Sequence, residues 1–93
     1  MPHFIIIGRD RPGSASLRAD TRPRHLDHIR SLGAALLVGG PTLDESGAAT
    51  GSVVIADFPD LAAARDFAER DPYRGVDLFE SVTVQAWRKV LPE

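Results

Sequence analysis

The stretch Thr21-Arg22-Pro23-Arg24-His25-Leu26-Asp27-His28 sets two histidines, two arginines and a carboxylate side by side. Histidine gains or loses a proton near neutral pH, so it suits chemistry in which a proton is taken from a small substrate or returned to it. An arginine nearby offers a planar, permanently charged fork for a carboxylate or phenolate. His25 and His28, three residues apart, could share a helix face as half of a metal site. Zinc needs at least one further ligand, no glutamate accompanies the pair, and Asp27 faces elsewhere on a helix, so no metal is expected. Arg18, Arg22 and His25 stand at i, i+4 and i+7, a single stripe on a continuous helix and able to clamp an anion. If Pro23 instead marks the first turn of a helix opening at Thr21, the stripe breaks and the arginines become a solvated basic face.

Other chemistry is excluded by what the chain contains. With no cysteine, it has no thiolate nucleophile, disulfide or cysteine-based metal centre. Gly39-Gly40 and Gly47 build neither Gly-x-Gly-x-x-Gly nor Gly-Lys-Ser/Thr, and no nucleotide or other cofactor is expected. Ser52 has no base beside it and reads as a hydrogen-bonding hydroxyl rather than a nucleophile. A net charge of -2 gives no reason to expect nucleic acid, although arginines gather between Arg9 and Arg30. The apolar run at 4–7 is too short for a signal-peptide core or a membrane span, which makes the cytoplasm the default location.

The elements that must position these residues follow from pattern. The 93 residues form one domain, 1–93, small enough that oligomerisation would help its stability. Residues 4–7, aromatic and β-branched, read as a buried strand closed by Gly8, with a loop after it. Leu26, Ile29 and Leu32 then recur every third residue in a helix capped by Thr21 and ended by Gly33, after a short helical turn near 14–19. Residues 34–38 form a second strand ending in a Gly39-Gly40-Pro41 turn, and 43–50 a flexible hairpin loop. A third strand over 53–58 ends at Pro59. Asp60 caps a second helix that Asp71-Pro72 stops, because the residue before proline leaves the α region. Alternation of Val82, Val84 and Ala86 marks a fourth strand. Phe79 and Trp87 read as core or interface, and His3 as an exposed or edge residue.

The order is βαββαβ, an α+β ferredoxin-like arrangement with a four-stranded antiparallel sheet in the order 4-1-3-2 and both helices on one face. The other face lacks a cover, yet the first three strands are apolar at nearly every position, so a homodimer through that face is expected. The topology also brings Arg22, His25, Gly40-Pro41, Gly51-Ser52 and Asp71-Pro72-Tyr73 to one end of the domain. There Asp71 could accept a hydrogen bond from one ring nitrogen of His25, fix its tautomer and leave the other nitrogen for acid or base work. The C-terminal dipole of the second helix would favour imidazolium. Spacing alone leaves a simpler alternative open, a surface histidine and a solvated helix terminus.

Taken together, Arg22-Pro23-Arg24-His25-Leu26, Gly40-Pro41, Gly51-Ser52-Val53-Val54-Ile55, Asp71-Pro72-Tyr73 and the closing Val82-Thr83-Val84-Gln85-Ala86-Trp87 resemble the YCII-related family. The resemblance runs from Phe4 to about Leu91. It implies a dimeric α+β barrel fold similar to that of muconolactone isomerases, and a site built on a helix histidine and the aspartate of Asp-Pro-Tyr, here His25 and Asp71. The chemistry associated with the family is dehydrochlorination of a chlorinated aromatic diol. Where the family often has a longer or more apolar segment after Asp-Pro-Tyr, this chain has Arg74-Gly75-Val76-Asp77, which bears on pocket size and polarity. The resemblance favours proton transfer by His25 on a small anionic cyclic or aromatic metabolite, in an elimination or isomerisation. Asp71 would orient the imidazole, and Arg22, Arg18, Ser52 and Tyr73 would bind the substrate. The alternative is a non-catalytic ligand-binding or dimerisation module.

Overall fold

The computed structural model describes every residue from Met1 to Glu93. The elements are β1 (His3–Asp10), α1 (Ala15–Arg30), a 3-10 turn (Gly33–Ala35), β2 (Leu36–Leu43), β3 (Ala49–Asp57), α2 (Leu61–Glu69), α3 (Pro72–Gly75) and β4 (Phe79–Trp87). The strands form one antiparallel sheet in the order β2-β3-β1-β4, the expected 4-1-3-2 ferredoxin-like arrangement. No helix is long and apolar enough to cross a membrane.

Period-two alternation sorts the sheet into two faces. Phe4 and Ile6 of β1 meet Val54 and Ala56 of β3 beneath the helices, where Ile29, Phe58, Ala64 and Ala68 complete the main core. Asp60 caps α2 as expected, its carboxylate accepting from the Ala63 N–H at 2.8 Å. On the opposite face Ile5 pairs with Ile55, and Ile55 with Val38, while Ile7 lies beside Val53. Nothing within the chain covers this face. His3 sits there on central strand β1, 3.1 Å from Asp57 and edge-on to Trp87.

Several boundaries differ from expectation. Helix α1 is continuous from Ala15, with Ser14 at its N-cap and Pro23 inside it. Thr21 is therefore not a cap but one of the residues buried along its inner face, with Arg18, His25 and Ile29. Pro23 is exposed, and its ring costs the helix a single N–H bond there. Gly39-Gly40-Pro41 is no turn but the middle of β2, paired with Val54, Val53 and Ser52. Proline is tolerated because β2 is an edge strand. The hairpin shrinks to a tight turn in which the Asp44 carboxylate accepts from Ser46 Oγ, the Ser46 N–H and the Ala48 N–H. The Ser46 hydroxyl bond and these backbone bonds hold the Asp44 carboxyl below its ordinary value. Short helix α3, which no apolar period announces, starts at Asp71: the Asp71 carboxylate accepts from the Tyr73 N–H at 2.9 Å and Pro72 supplies the first turn.

Tyr73, Leu78 and Phe79 form a second, smaller core cluster at the site end of the sheet. The Phe79 ring lies across Gly8, where an added Cβ would come within 2.6 Å of it, and meets the Tyr73 ring edge-on at 5.7 Å. Because a buried ring hemmed in by a strand has little room to retreat, Gly8→Ala is expected to destabilise the fold by about 1–3 kcal/mol. Chemical denaturation checks this, and a variant as stable as the parent would show that Phe79 is free to move.

Candidate active site

The inner face of α1 changes character along its length. Toward the C-terminus it presents Ile29 to the core, and toward the N-terminus it presents Arg18, Thr21 and His25. These polar residues are buried with the exposures of core side chains, His25 at 7% and Arg18 at 8%. Arg18 and His25 must then be met by hydrogen-bonding partners from other elements.

For His25 the partner is Asp71. Nδ1 lies 2.8 Å from Oδ1 and 2.9 Å from Oδ2, so Nδ1–H donates to the carboxylate and the neutral ring carries its lone pair on Nε2. Nε2 makes no hydrogen bond within the protein, and His25 lines the cleft beside α1. The Tyr73 ring stacks on the imidazole at 4.0 Å and 16°, so both rotation and tilt of the ring are constrained. Asp71 sits behind His25 rather than in the cleft wall. Its setting differs from the one expected: α2 ends at Glu69, and Asp71 opens α3 instead of closing α2. The carboxylate is aimed by the Tyr73 N–H, and no α2 dipole enters the argument.

Arg18 is the second centre. Its Nε–H donates to Asp10 Oδ2 at 2.7 Å, and its Nη2 donates to Ser52 Oγ at 2.8 Å and to the Gly51 carbonyl. Nη1 donates to Tyr73 Oη at 3.3 Å, and the guanidinium carbon lies 4.7 Å from the Tyr73 ring centre. Asp10 was not singled out in the sequence because Gly8 was taken as the end of β1. The signal was nonetheless there, since Phe4, Ile6 and Gly8 extended by two more residues puts Asp10 on the helix-facing side.

The cleft, about 290 Å³, lies between α1 and the β2–β3 edge of the sheet. Leu26, Ile29, Leu36 and Val54 make its apolar wall, and Arg22, His25, Ser52 and Tyr73 its polar one. Arg22 is exposed and forms no ion pair, whereas Arg30, also at the rim, binds Asp27 at 3.3 Å. Gly39 supplies the opening on the β2 side: a Cβ there would touch Ile29 and Val54 at 3.9 and 3.8 Å and occupy the floor. Gly40 and Pro41 also border the cleft. His28 turns away to α2, its Nε2–H donating to the Phe67 carbonyl at 2.8 Å while the ring stacks on Phe67. The two histidines diverge, and no three acidic, histidine or cysteine side chains converge as metal ligands.

Burial pushes the Tyr73 phenol above its ordinary value of 10.0; Arg18 and Arg22 act against the rise, while Asp71 and Asp10 add to it. The folded protein therefore holds this proton more tightly than the unfolded chain does. The resulting stability is intact below the unfolded value and is lost as pH rises through the folded one. Thermal melts taken upward from about pH 9 should show the parent losing stability more steeply than Tyr73→Phe, and parallel curves would contradict this.

Residues 2–88 match the YCII-related domain family. The chain is 37% identical over 95 residues to Protein YciI of Escherichia coli, covering 94% of this chain and 97% of that one. It is 34% identical over 96 residues to an uncharacterized protein of Haemophilus influenzae, covering 95% and 98%. Among solved structures it is similar to 5-chloro-2-hydroxyhydroquinone dehydrochlorinase from Burkholderia phenoliruptrix in complex with 2,5-dihydroxybenzoquinone, with a TM-score of 0.85, 34% identity, and 92% and 93% of the two chains covered. With a full-length domain match and relatives above 30% identity on either side of it, this chain belongs to the YCII-related family.

Proposed function

We propose that the cleft of this protein carries out acid–base chemistry on a small, anionic, hydroxylated cyclic or aromatic molecule, with His25 Nε2 as the group that moves the proton. The observation that carries the proposal is the His25–Asp71 pair: Nδ1 is held by both carboxylate oxygens while Nε2 has no protein partner. A buried carboxylate on one nitrogen selects the tautomer in which the other is a base, and it balances the imidazolium that forms. Asp71 acts through His25 and is a positioning residue. Arg22, unpaired at the rim, attracts the anion, and the apolar wall of Leu26, Ile29 and Val54 receives the ring.

The likeness to a dehydrochlorinase supports elimination as the reaction. For a chlorinated hydroquinone the step balances without an oxidant. Nε2 takes a hydroxyl proton and the imidazolium returns it to the chlorinated ring carbon. Chloride then leaves with the C–Cl electron pair as a second hydroxyl loses its proton, so the product is a quinone and the net loss is one proton and one chloride. The same abstraction and return, without a leaving group, is an isomerisation. Chloride release from 5-chloro-2-hydroxyhydroquinone tests the reading directly. We expect release by the parent, a fall in kcat of about a thousandfold in His25→Ala, and of about a hundredfold in Asp71→Asn. Full activity in His25→Ala would remove the mechanism, and an inactive parent would remove this substrate.

We also propose that the protein works as a homodimer joined through the open sheet face. The row Val38, Ile55 and Ile5, with Ile7 and Val53 beside it, is a contiguous apolar surface, and a second copy related by a two-fold axis offers the same surface in return. Sedimentation at micromolar concentration should give a dimer, and Ile5→Glu a folded monomer. A monomeric parent would overturn the assembly without touching the chemistry.

A further inference from the structure

The cleft beside α1 has a polar end and an apolar end, and the strand register spaces them. Along its floor Pro41 pairs with Ser52, Gly39 with Val54 and Leu36 with Ala56. A strand rises about 3.3 Å per residue, so each step between inward residues is about 6.6 Å and the two steps from Ser52 to Ala56 span about 13 Å. His25 belongs to the Ser52 end, because the Tyr73 ring that stacks on it shares Arg18 with Ser52. Ile29, about one helical turn further along α1, stands over the Gly39–Val54 pair, since a Cβ on Gly39 would meet Ile29 at 3.9 Å and Val54 at 3.8 Å. A single ring with its reacting oxygen at His25 Nε2 covers roughly one step of this floor. The step toward Leu36 is left for another part of the ligand. Volume agrees: an apolar cavity of about 150 Å³ takes a benzene ring, and this cleft is about 290 Å³.

The character of that second step is apolar. Leu36, Ile29 and Val54 surround it, and the arginine that borders it, Arg30, is engaged with Asp27 at 3.3 Å. Gly39 keeps it open. The fold does not demand glycine there: its φ lies outside the left-handed region, and the contacts of an added Cβ, 3.7 to 3.9 Å, are ordinary van der Waals distances. Gly8 is the opposite case, where the added carbon would collide with the Phe79 ring. What the missing side chain of Gly39 supplies is therefore space in the cleft rather than backbone freedom.

We infer that Leu36, Ile29 and Val54 around Gly39 form a subsite for an apolar substituent, alkyl or halogen, on the edge of the ring opposite the reacting oxygen, and that Gly39 sets its depth. The inference rests on the acid–base reading above and extends it to the rest of the substrate: the ligand is oxygenated at one edge and apolar at the other. Gly39 is thus a specificity-determining residue and takes no part in the proton transfer.

Calorimetric titration of the full chain with 2,5-dihydroxybenzoquinone and its 3-methyl, 3-ethyl and 3-propyl derivatives tests this. In the parent the methyl and ethyl carbons should each tighten binding about fourfold, the gain from burying one carbon, and the series should level off at propyl. Gly39→Ala should bind the unsubstituted probe like the parent and level off one carbon earlier, whereas Leu36→Ala should carry the gain through propyl. General loosening of the fold would weaken every probe alike and leave the levelling point where it was. If no probe binds, if the parent series is flat, or if Gly39→Ala levels off where the parent does, the subsite is wrong. A flat series beside His25-dependent chloride release removes the subsite and keeps the acid–base reading. A levelling point that moves with Gly39, beside chloride release undiminished in His25→Ala, keeps the subsite and removes the acid–base reading.

Discussion

A buried guanidinium is tolerable only when its N–H groups are answered, and the site end of this domain is organised around answering one. Arg18 of α1 gathers Asp10 of β1, Gly51 and Ser52 of β3 and Tyr73 of α3 onto a single planar group. Removing one partner from such a pair typically costs about 3–5 kcal/mol, because the survivor is left charged and dry. Arg18 and Asp10 therefore fix where α1 and α3 stand over the sheet. His25 and Asp71 are carried by the same two helices, so the geometry of the second pair is inherited from the first.

Packing transmits the same constraint by another route. Gly8 leaves room on β1 for the Phe79 ring, Phe79 meets Tyr73 edge-on, and Tyr73 stacks on His25. An apolar column thus rises from the sheet to the imidazole and ends at a group that can move a proton. Polar and apolar supports converge on Tyr73, a residue with no exposed surface.

The fold was legible in the sequence because strands and α2 bury apolar side chains in regular periods, and period is what a sequence displays. Helix α1 escaped in its first half for the opposite reason. Its inward positions there are Arg18, Thr21 and His25, so no apolar stripe marks them, and Pro23 read as a start although it lies on the exposed side of a continuous helix. Helix α3 escaped because one turn has no period at all. That His25 and Asp71 lie together followed from topology, which places the start of one helix and the end of another at the same rim. That Asp71 caps α3, and that Asp10 belongs to the site, depended on side-chain directions that no spacing records. Gly39-Gly40-Pro41 misled in the usual sense of its residue types, since an edge strand accepts what a central one rejects.

Charge compensation at the site explains how an anion could be preferred. Arg18 is neutralised by Asp10, and the imidazolium that His25 becomes is neutralised by Asp71. Both pairs are buried; the first carries no net charge and the second becomes neutral as His25 takes up a proton, so what they offer is direction, with a base held at one point. The uncompensated charge at the cleft is Arg22, exposed at the rim. Attraction and chemistry are thereby divided between residues. An exposed guanidinium acts through solvent and is screened within about 8 Å at physiological salt, whereas buried pairs are screened far less. Raising the salt concentration should then weaken capture of an anion while leaving the proton-transfer geometry intact, a separation that follows from burying the two ion pairs and leaving Arg22 exposed and unpaired.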